Sequence, residues 1–415
     1  INKYDKTENN SLFFLLNKFN KFEKTKNKKE IEMKRIMVFG IMLCILATTF
    51  CMNYAKITFA SSDIDLTSRS ALLLDYGSGT VLFEKDADKH LPIASMVKMM
   101  TILLTLEEID SGNITEETMV TTSENASGMG GSQVFIDPYV EYSVGDLLKS
   151  VIMASANDAS VALAEHISGS EEAFVSKMNN KAKELGMNNT NYVNCTGLPA
   201  PEQYSCAKDC AIVLKEVAGH EIYHKYSVIW MDELIHPSGR KTELVNTNRL
   251  IRYYDGCDGG KTGSTNEAGC CLSATAIRNN MRLISVVIGA QNSQTRFNEC
   301  SKLFNYGFAN FENKTIVDSS SPLFNLPVNK GKQESVDIFS KDNFSLVTKK
   351  GDKTEYDITY ENPTKINAPT KSGDIIGKVV ISKDGNVLKE VDLIVKDNIE
   401  KLSLKDCFDK IVATW

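Results

Sequence analysis

Residues 92–106 form an apolar run with a single charged side chain, Lys98, and a serine three positions before it, Ser95. The run predicts a helix, because Pro92 suits a first helical turn and neither glycine nor proline follows before Leu106. Apolar residues surround Lys98 on almost every side of such a helix, so its ammonium group should be desolvated. Burial can lower a lysine pKa by about 3 to 5 units, which makes the amine a usable base at neutral pH.

Residues at positions i and i+3 share one face of a helix, so Ser95 would stand beside Lys98. This predicts a serine nucleophile that is activated by its own neighbour, with the positive end of the helix near any oxyanion. A buried helix with one lysine that reaches the surface would give the same pattern. The spacing alone is weak, since Ser238-Gly239-Arg240-Lys241 repeats it in a polar stretch.

Two further triplets follow within one domain's length of sequence. Ser155-Ala156-Asn157 comes after the apolar run 144–154, and Lys261-Thr262-Gly263 comes after Asp258-Gly259-Gly260. A Ser-x-x-Lys element, a Ser-x-Asn-type triplet and a Lys-Thr-Gly triplet form the signature of penicillin-binding proteins and class A β-lactamases. The order and separation of the three elements carry more weight than any single match.

With these elements the chain resembles the low-molecular-mass penicillin-binding proteins, which are serine-type D-alanyl-D-alanine carboxypeptidases. The resemblance covers roughly residues 62–400 and rests on four stretches, 92–101, 131–159, 259–265 and 282–290. Two positions depart from many relatives. Ala156 stands where glycine is frequent, and Ser264 stands where some relatives have histidine. Neither change removes a catalytic side chain.

The resemblance implies acyl transfer from a D-alanyl-D-alanine peptide to Ser95, with Lys98 taking the serine proton and water later hydrolysing the acyl-enzyme. It gives Ser155 the task of relaying a proton to the leaving amine. Asn157 would orient Lys98 and the substrate amide. Lys261 would hold Ser155 and supply a local positive field.

The resemblance also implies a substrate-binding set, which consists of Thr262, Gly263, Ser264 and Arg296. The backbone N–H groups of Ser95 and Ser264 would form an oxyanion hole, where each such donor contributes about 10²- to 10³-fold in rate. Arg296 follows the predicted strand 283–288 and would join Thr262 in binding the terminal carboxylate. The implied ligands are peptidoglycan stem peptides and β-lactams, and neither a metal nor an organic cofactor is implied.

The fold class expected is α/β (α+β), a penicillin-binding or β-lactamase-like transpeptidase domain followed by a small β-sandwich. Strand patterns open and close the first domain, with a hairpin at Ser70–Glu84 and strands at 272–277 and 283–288. An antiparallel sheet faced by a helical region, with the catalytic groups at their junction, follows from this order. The helical patterns lie at residues 98–109, 144–154, 157–168, 171–185 and 207–217.

Five segments are expected along the chain. Residues 1–32 are a Lys/Asn-rich stretch that we exclude from the fold as a disordered or non-native leader. Residues 33–60 have the basic start, short apolar run and small-x-small end of a signal peptide, which implies export to the outer face of the membrane or the cell wall. The catalytic domain would span 61–312 and the β-sandwich 313–398.

The last segment, residues 399–415, is predicted to be an amphipathic helix that lies on the membrane surface. Apolar residues recur there at three- and four-residue steps, with charged residues between them, and Trp415 could anchor in the headgroup region. Packing of the same stripe on the β-sandwich is the alternative.

Charge and cysteine content narrow the possible partners. After removal of residues 1–60 the chain keeps 36 basic and 48 acidic residues, a net charge of −12. Nothing in this balance indicates nucleic-acid binding, and an anionic substrate would need a local cationic site. The eight cysteines beyond the leader lack the spacing of a small disulfide-stapled domain, so we expect mostly free, buried thiols.

Two other motifs indicate different chemistry. His220-Glu221-Ile222-Tyr223-His224 matches the H-E-x-x-H pattern of zinc hydrolases, but no further motif supplies a third ligand, so we expect no metal site. Gly260-Lys261-Thr262 resembles part of a phosphate-binding loop. The spacing from Gly256 to Gly260 is one residue shorter than that motif requires, and Asp258 would repel phosphate.

Three alternative functions remain open. A class A-like β-lactamase would need a deacylating glutamate between the second and third elements, and Glu243 is an imperfect candidate. A D,D-endopeptidase would use the same residues on an internal bond. A catalytically silent peptidoglycan-binding protein is the third, although every reactive side chain is present.

Overall fold

The computed structural model describes residues 64–406 and residue 408. The predicted leader, the signal peptide and most of the predicted C-terminal helix lie outside the described residues. Within the described part, no helix has both the length and the apolar character needed to cross a membrane.

Helices α1 to α9 lie in the first part of the chain, and α3 to α7 follow one another without a strand between them. Their bounds are Lys98–Asp110, Glu124–Ser127, Val144–Met153, Asn157–Ser168, Glu171–Glu184, Ala207–Val217, Glu221–Ser227, Leu250–Tyr253 and Ser293–Asn310. The helices predicted from the apolar periodicity are confirmed to within one residue at their C-terminal ends.

Strands β1 to β9 belong to this same part of the chain. They span Ser70–Asp75, Val81–Lys85, Met119–Thr121, Glu141–Ser143, Met231–Ile235, Lys241–Val245, Cys257–Thr265, Gly269–Arg278 and Met281–Ala290. Strands β10 to β17 follow at Phe311–Val317, Phe324–Asn329, Ser335–Ser340, Phe344–Lys349, Asp357–Glu361, Ile366–Asn367, Ile375–Lys383 and Asn386–Val395.

A five-stranded antiparallel sheet in the order β2-β1-β9-β8-β7 organises the first part. The predicted hairpin at its start is confirmed as β1 and β2. Asn279 and Asn280 connect β8 to β9 with φ values of 47° and 63°, a backbone that suits a two-residue hairpin because asparagine tolerates positive φ. The strand β7 at the edge carries the Lys-Thr-Gly triplet.

Helices cover both faces of this sheet. A large apolar cluster joins α1, α3, α4 and α6 to one face, through residues such as Leu104, Val151 and Val286. A second cluster joins α9 to the other face, through residues such as Leu283 and Phe304. The prediction of an antiparallel sheet with a helical region is therefore confirmed, and α9 adds a layer on the opposite side.

An all-β region follows α9, as predicted. Strands β10 and β13 pair with each other, and six strands form a second sheet in the order β14-β16-β17-β12-β11-β15. This region has its own apolar cluster, which includes Ile338, Val379 and Leu393. Phe311 and Val347 instead pack in the cluster beneath α9.

Two predicted boundaries are wrong. Residues Ala94–Val97 form a 3₁₀ turn, and α1 begins only at Lys98, because Ala94 has a φ of 49° that cannot continue a right-handed helix toward Pro92. At the other end, Ile399 and Lys401 make extended β-bridges to Thr370 and Gly331. Helical backbone in the described tail therefore begins at Leu404, not at residue 399.

The seven cysteines of the described part carry free thiols, and six of them are buried. The sequence prediction of mostly free, buried thiols is confirmed for these residues.

Candidate active site

Ser95 and Lys98 lie on either side of the junction between the 3₁₀ turn and α1. Ser95 is in the turn, half-buried, while Lys98 is the first residue of α1 and is fully buried. The Lys98 Nζ atom lies 3.2 Å from Ser95 Oγ. The predicted neighbour relation is thus present, although a tight turn and not a full helical turn produces it.

Two oxygen acceptors hold the Lys98 amine in place. Nζ donates to Asn157 Oδ1 at 2.6 Å and to the carbonyl oxygen of Thr196 at 2.5 Å. Burial lowers the pKa of Lys98 from 10.5 to about 7, against a small opposing effect of Cys195 and Asp158. A neutral amine has two N–H groups, which these acceptors satisfy, so its lone pair is left for the Ser95 hydroxyl.

The Ser155-Ala156-Asn157 triplet connects α3 to α4. Ser155 has a φ of 62°, which turns the chain sharply after α3, and Asn157 is the first residue of α4. Asn157 Nδ2 donates to the carbonyl oxygen of Gly130 at 2.7 Å, so the amide faces Lys98 with its oxygen. A Cβ on Gly131 would lie 2.7 Å from that amide nitrogen, which explains the need for glycine there.

The buried carboxylate of Asp158 fixes the loop that precedes this triplet. Its oxygens accept hydrogen bonds from the backbone N–H groups of Val134 and Ile136 at 3.1 to 3.2 Å. Charge-assisted bonds of this kind are stronger than neutral ones. The loop from Gly130 to Ile136 is therefore held against the start of α4.

Lys261 reaches across from strand β7 to the same triplet. Its Nζ donates to Ser155 Oγ at 2.7 Å and to the carbonyl oxygen of Thr262 at 3.1 Å. Burial lowers the pKa of Lys261 well below its ordinary value, and the positive charges of Lys98 and Arg296 lower it further. The two buried amines thus contact Ser95 and Ser155 respectively.

Gly263 allows β7 to lie directly against the turn that carries Ser95. A Cβ at this position would overlap the carbonyl oxygen of Ile93 and would lie 3.1 Å from the backbone nitrogen of Ser95. Ser264 follows on the same strand and is exposed. The close approach places the end of β7 beside Ser95.

Thr262 also belongs to this end of β7, and Arg296 contacts it. Thr262 Oγ1 donates to Thr247 Oγ1 at 2.9 Å. Arg296, on α9, is only 8% exposed, and its Nη1 donates to the carbonyl oxygens of Gly263 and Cys271 at 3.2 and 3.4 Å.

The buried guanidinium of Arg296 has no carboxylate within ion-pair distance among the described residues, and its Nε has no hydrogen-bond partner there. Desolvation lowers the pKa of Arg296, with a smaller contribution from Arg249. An uncompensated buried cation is costly, so this arrangement suits an anionic ligand group.

Sequence reasoning missed Thr196 and Thr247, which contact Lys98 and Thr262. The sequence around Thr196 indicates a turn but not its contact with Lys98. Thr196 lies in Asn194-Cys195-Thr196-Gly197, where Asn194 Oδ1 accepts hydrogen bonds from the backbone of residues 196 and 197. Asn-x-x-Gly is a turn pattern, but nothing in it indicates contact with a lysine about a hundred positions earlier.

Both histidines of the H-E-x-x-H motif contact other protein groups. His220 Nδ1 pairs with Asp110 Oδ2 at 2.6 Å, while His224 contacts the carbonyl oxygens of Ala218 and Asp258. Within the described residues, no group of three or more histidine, cysteine or acidic side chains is arranged to hold a metal ion.

Glu243, the candidate for a deacylating glutamate, is exposed on β6 in the hairpin with β5. The buried contacts of Ser95, Lys98 and Ser155 do not include it. This placement disfavours a class A-like β-lactamase.

Comparison with known protein families gives two matches. The family described as D-alanyl-D-alanine carboxypeptidase matches residues 57–292, and that described as Penicillin-binding protein 5, C-terminal domain, matches residues 311–401. The first match contains all predicted site residues except Arg296.

Individual relatives extend over most of the chain. The D-alanyl-D-alanine carboxypeptidase DacF of Bacillus subtilis is 40% identical over 389 residues, which cover 92% of this chain and 99% of the relative. A D-alanyl-D-alanine endopeptidase of Escherichia coli is 32% identical over 275 residues, 65% of this chain and 87% of that protein. The crystal structure of penicillin binding protein 5 from Haemophilus influenzae superimposes with a TM-score of 0.66 at 34% identity, covering 82% of this chain and 100% of that one.

Proposed function

The chain belongs to the D-alanyl-D-alanine carboxypeptidase family, and from this premise we propose how its residues divide the reaction. The enzyme is a serine-type D-Ala-D-Ala carboxypeptidase that removes the terminal D-alanine from peptidoglycan stem peptides. The observation that carries the mechanism is the buried Lys98 amine, which contacts Ser95 while Asn157 and Thr196 occupy its other side.

In the acylation step, Lys98 accepts the proton of Ser95 as Oγ attacks the carbonyl carbon of the penultimate D-alanine. A pKa of about 7 leaves a substantial neutral fraction of this amine at neutral pH. A base with a pKa near the working pH combines availability with driving force for proton transfer. Asn157 and the Thr196 carbonyl keep the lone pair directed at the serine.

Collapse of the tetrahedral intermediate breaks the C–N bond, and the leaving amine must gain a proton. Ser155 is the proposed relay, because its Oγ accepts a hydrogen bond from Lys261 and its own hydrogen remains free for the amine. The proton that Lys98 took from Ser95 then restores the Ser155 hydroxyl, so that Lys98 is neutral again. Water then attacks the acyl-enzyme and releases the shortened peptide. The mechanism includes neither a metal nor an organic cofactor.

The oxyanion would bind to the backbone N–H groups of Ser95 and Ser264. The support for this assignment is the close packing of Gly263 on the turn of Ser95, which brings β7 next to the nucleophile. Each donor of this kind contributes about 10²- to 10³-fold to the rate.

The terminal carboxylate of the substrate would bind between Thr262 and Arg296. Arg296 supplies a buried positive charge that has no carboxylate partner among the residues the structure describes, and Lys261 adds charge nearby. A local site of this kind is needed, because the chain beyond residue 60 has a net charge of −12 and would repel an anionic peptide end.

Penicillin is the direct probe of this assignment, since β-lactams mimic the acyl bond of the substrate and should acylate Ser95. Intact-mass analysis should find one penicilloyl group on the protein and none on Ser95→Ala. A penicilloyl group that persists on Ser95→Ala would contradict the assignment of the nucleophile. The matched control, Ser238→Ala, changes the serine of another Ser-x-x-Lys match and should be acylated like the wild-type enzyme.

A D,D-endopeptidase is the second candidate, because a relative with that activity is 32% identical over its matched part. The carboxypeptidase is favoured, since DacF matches at 40% identity and along 99% of its own length. Dependence of cleavage on a free terminal carboxylate separates the two activities.

We place the enzyme outside the cytoplasmic membrane, in the space where peptidoglycan is built. The support is the signal-peptide pattern of residues 33–60 together with family membership. In this arrangement residues 61–312 form the catalytic domain, and residues 313–398 form a β-domain that acts as a stalk or partner surface.

The tail would bind the enzyme to the membrane surface. Leu404 and Phe408 are 93% and 67% exposed, and the apolar spacing continues in the sequence to Trp415. Deletion of residues 404–415 should abolish co-sedimentation with anionic vesicles and leave penicillin acylation unchanged. Vesicle binding that survives the deletion would rule out this anchor.

A further inference from the structure

A surface cavity of about 620 Å³ has Arg296 in its lining, whereas Ser95 is not part of that lining. This volume lies within the range of roughly 300 to 1,000 Å³ that is usual for small-molecule sites. We call Thr247 and the buried Arg296 its inner end, and we call Trp230 with the exposed Val245 and Tyr253 its outer wall. The cavity is therefore continuous with the proposed carboxylate site.

The inner end suits a carboxylate. Arg296 is buried and lacks a carboxylate partner among the described residues, while Thr247 is hydrogen-bonded to Thr262 of the Lys-Thr-Gly triplet. A substrate whose terminal carboxylate binds here has its last Cα next to this inner end, because the Cα is bonded to the carboxylate carbon. The side chain of that last residue then has access to the space beyond.

The outer wall is aromatic and accessible. Tyr253 is 71% exposed and meets the Trp230 ring edge to face, with 6.1 Å between the ring centroids. The guanidinium of Arg252 lies 5.6 and 5.7 Å from the centroids of Trp230 and Tyr253. Such cation–π contacts help to hold both rings in place, so the outer wall is preformed in the absence of a ligand.

The cavity is much larger than D-alanine requires. If each non-hydrogen atom fills no more than the about 30 Å³ of a liquid water, the six such atoms of D-alanine need on the order of 180 Å³ at most. More than half of the cavity would stay empty next to exposed aromatic surface. Large exposed aromatic side chains beside a site are typical of ligand recognition.

We propose that this cavity is a leaving-group pocket that admits terminal D-residues with large apolar or aromatic side chains, with Trp230, Val245 and Tyr253 as its specificity-determining residues. The proposal rests on the carboxypeptidase function proposed above and extends its substrates from D-Ala-D-Ala to D-Ala-D-Phe-type ends. The chemistry is unchanged. The amide C–N bond breaks, the amine of the released D-residue gains the proton, and water supplies the new carboxylate oxygen.

The test compares two peptides that differ only in the last residue, diacetyl-L-Lys-D-Ala-D-Ala and diacetyl-L-Lys-D-Ala-D-Phe. The wild-type enzyme should cleave the D-Phe peptide with a kcat/KM within about tenfold of the D-Ala peptide, since aromatic contacts offset the less favourable fit at the inner end. Cleavage of D-Ala with no detectable cleavage of D-Phe would overturn the pocket but leave the carboxypeptidase function intact. Failure to cleave either peptide would instead overturn the proposed function.

Variants of the outer wall distinguish a loss of D-Phe recognition from a general loss of activity. Tyr253→Ala and Trp230→Ala should each lower kcat/KM for the D-Phe peptide by roughly 2- to 10-fold and change the D-Ala value less than twofold. Val245→Trp should fill the pocket and have the same selective effect. Tyr360→Ala, at a half-exposed tyrosine of the β-region, is the matched control and should change neither value.

Two results would contradict the assignment of the wall. One is an equal loss on both peptides in all three wall variants, which would indicate a structural role only. The other is a wild-type preference for a D-Glu end over a D-Phe end, which would mean that Arg249, also at the cavity, selects for charge.

Discussion

Two parts of the molecule differ in whether they bury charged side chains. The catalytic region, residues 64–310, does so, and the β-region, residues 311–406, does not. Lys98, Lys261 and Arg296 are all buried around the site, and none has a carboxylate within ion-pair distance among the described residues. In residues 311–406 the buried polar side chains are Ser340 and Thr348, both neutral.

Cations of the β-region lie at its surface, where several are paired. Lys332 pairs with Glu400, Lys341 with Asp392, and Lys378 with both Glu361 and Glu390. Exposed pairs of this kind contribute little to stability, but they cost little as well. Burial of an unpaired cation is expensive, so its concentration in one region indicates a role in chemistry and not in folding.

The largest expected effect comes from replacing the buried amine of Lys98 with a guanidinium. Lys98→Arg should lower the rate of penicillin acylation by about 10²- to 10⁴-fold, because a guanidinium cannot be deprotonated and cannot act as a base. Stopped-flow or time-resolved labelling with a fluorescent penicillin measures this rate.

Lys378→Arg is the matched control for that variant, since it makes the same exchange at a surface pair of the β-region. It should acylate like the wild-type enzyme. Near-normal acylation by Lys98→Arg would show that Lys98 is not the base. The same exchange would then have no different effect in the catalytic region than in the β-region.

The second effect concerns the buried arginine. Arg296→Ala should lower kcat/KM on a D-Ala-D-Ala peptide by about 10- to 100-fold, since a hydrogen bond to a charged group contributes roughly 1.5 to 3 kcal/mol. The C-terminal amide of the same peptide should be a poor substrate for the wild type and should be little affected by the change. If wild type cleaves acid and amide equally, the carboxylate site is wrong and an endopeptidase becomes the better assignment.

The third effect compares two glycines, Gly263 beside the nucleophile and Gly377 in the β-region. A Cβ at either position would overlap a backbone carbonyl oxygen, of Ile93 and Glu361 respectively. Both Gly→Ala variants should lose about 1 to 3 kcal/mol of unfolding free energy, measured by urea denaturation.

Their activities should differ, because only Gly263→Ala displaces β7 from the turn of Ser95. We expect it to acylate about tenfold more slowly, since small displacements of catalytic groups have large effects on rate. Gly377→Ala should acylate normally at a temperature where it is folded. Equal activities would mean that the contact of Gly263 with the turn is structural only.

The regular elements and the reactive side chains could be read from the sequence for a common reason, which is that both depend on local spacing. Apolar periodicity located α3, α4 and α6, and the Ser-x-x-Lys spacing located Ser95 and Lys98. Each of these patterns is complete within about twenty residues.

Features that depend on long-range contact were missed or misplaced. The Thr196 carbonyl that binds Lys98 belongs to a loop 98 residues away in sequence. The 3₁₀ turn at Ala94 requires a positive φ that alanine does not favour, and it persists because Gly263 and Gly197 pack against it. Backbone groups of Thr196 and Ala94 make these contacts, so the side chains of these two residues give no signal for them.

The pH dependence of Ser95 acylation tests the central claim, that Lys98 acts as a neutral base. Because burial lowers the Lys98 pKa from 10.5 to about 7, the basic form of the free enzyme is lost as pH falls through that value. The second-order rate constant for penicillin acylation should therefore rise about tenfold per pH unit below pH 7 and level off above it. A rate constant that is independent of pH between about pH 5 and pH 8, or that falls as pH rises in this window, would contradict the account.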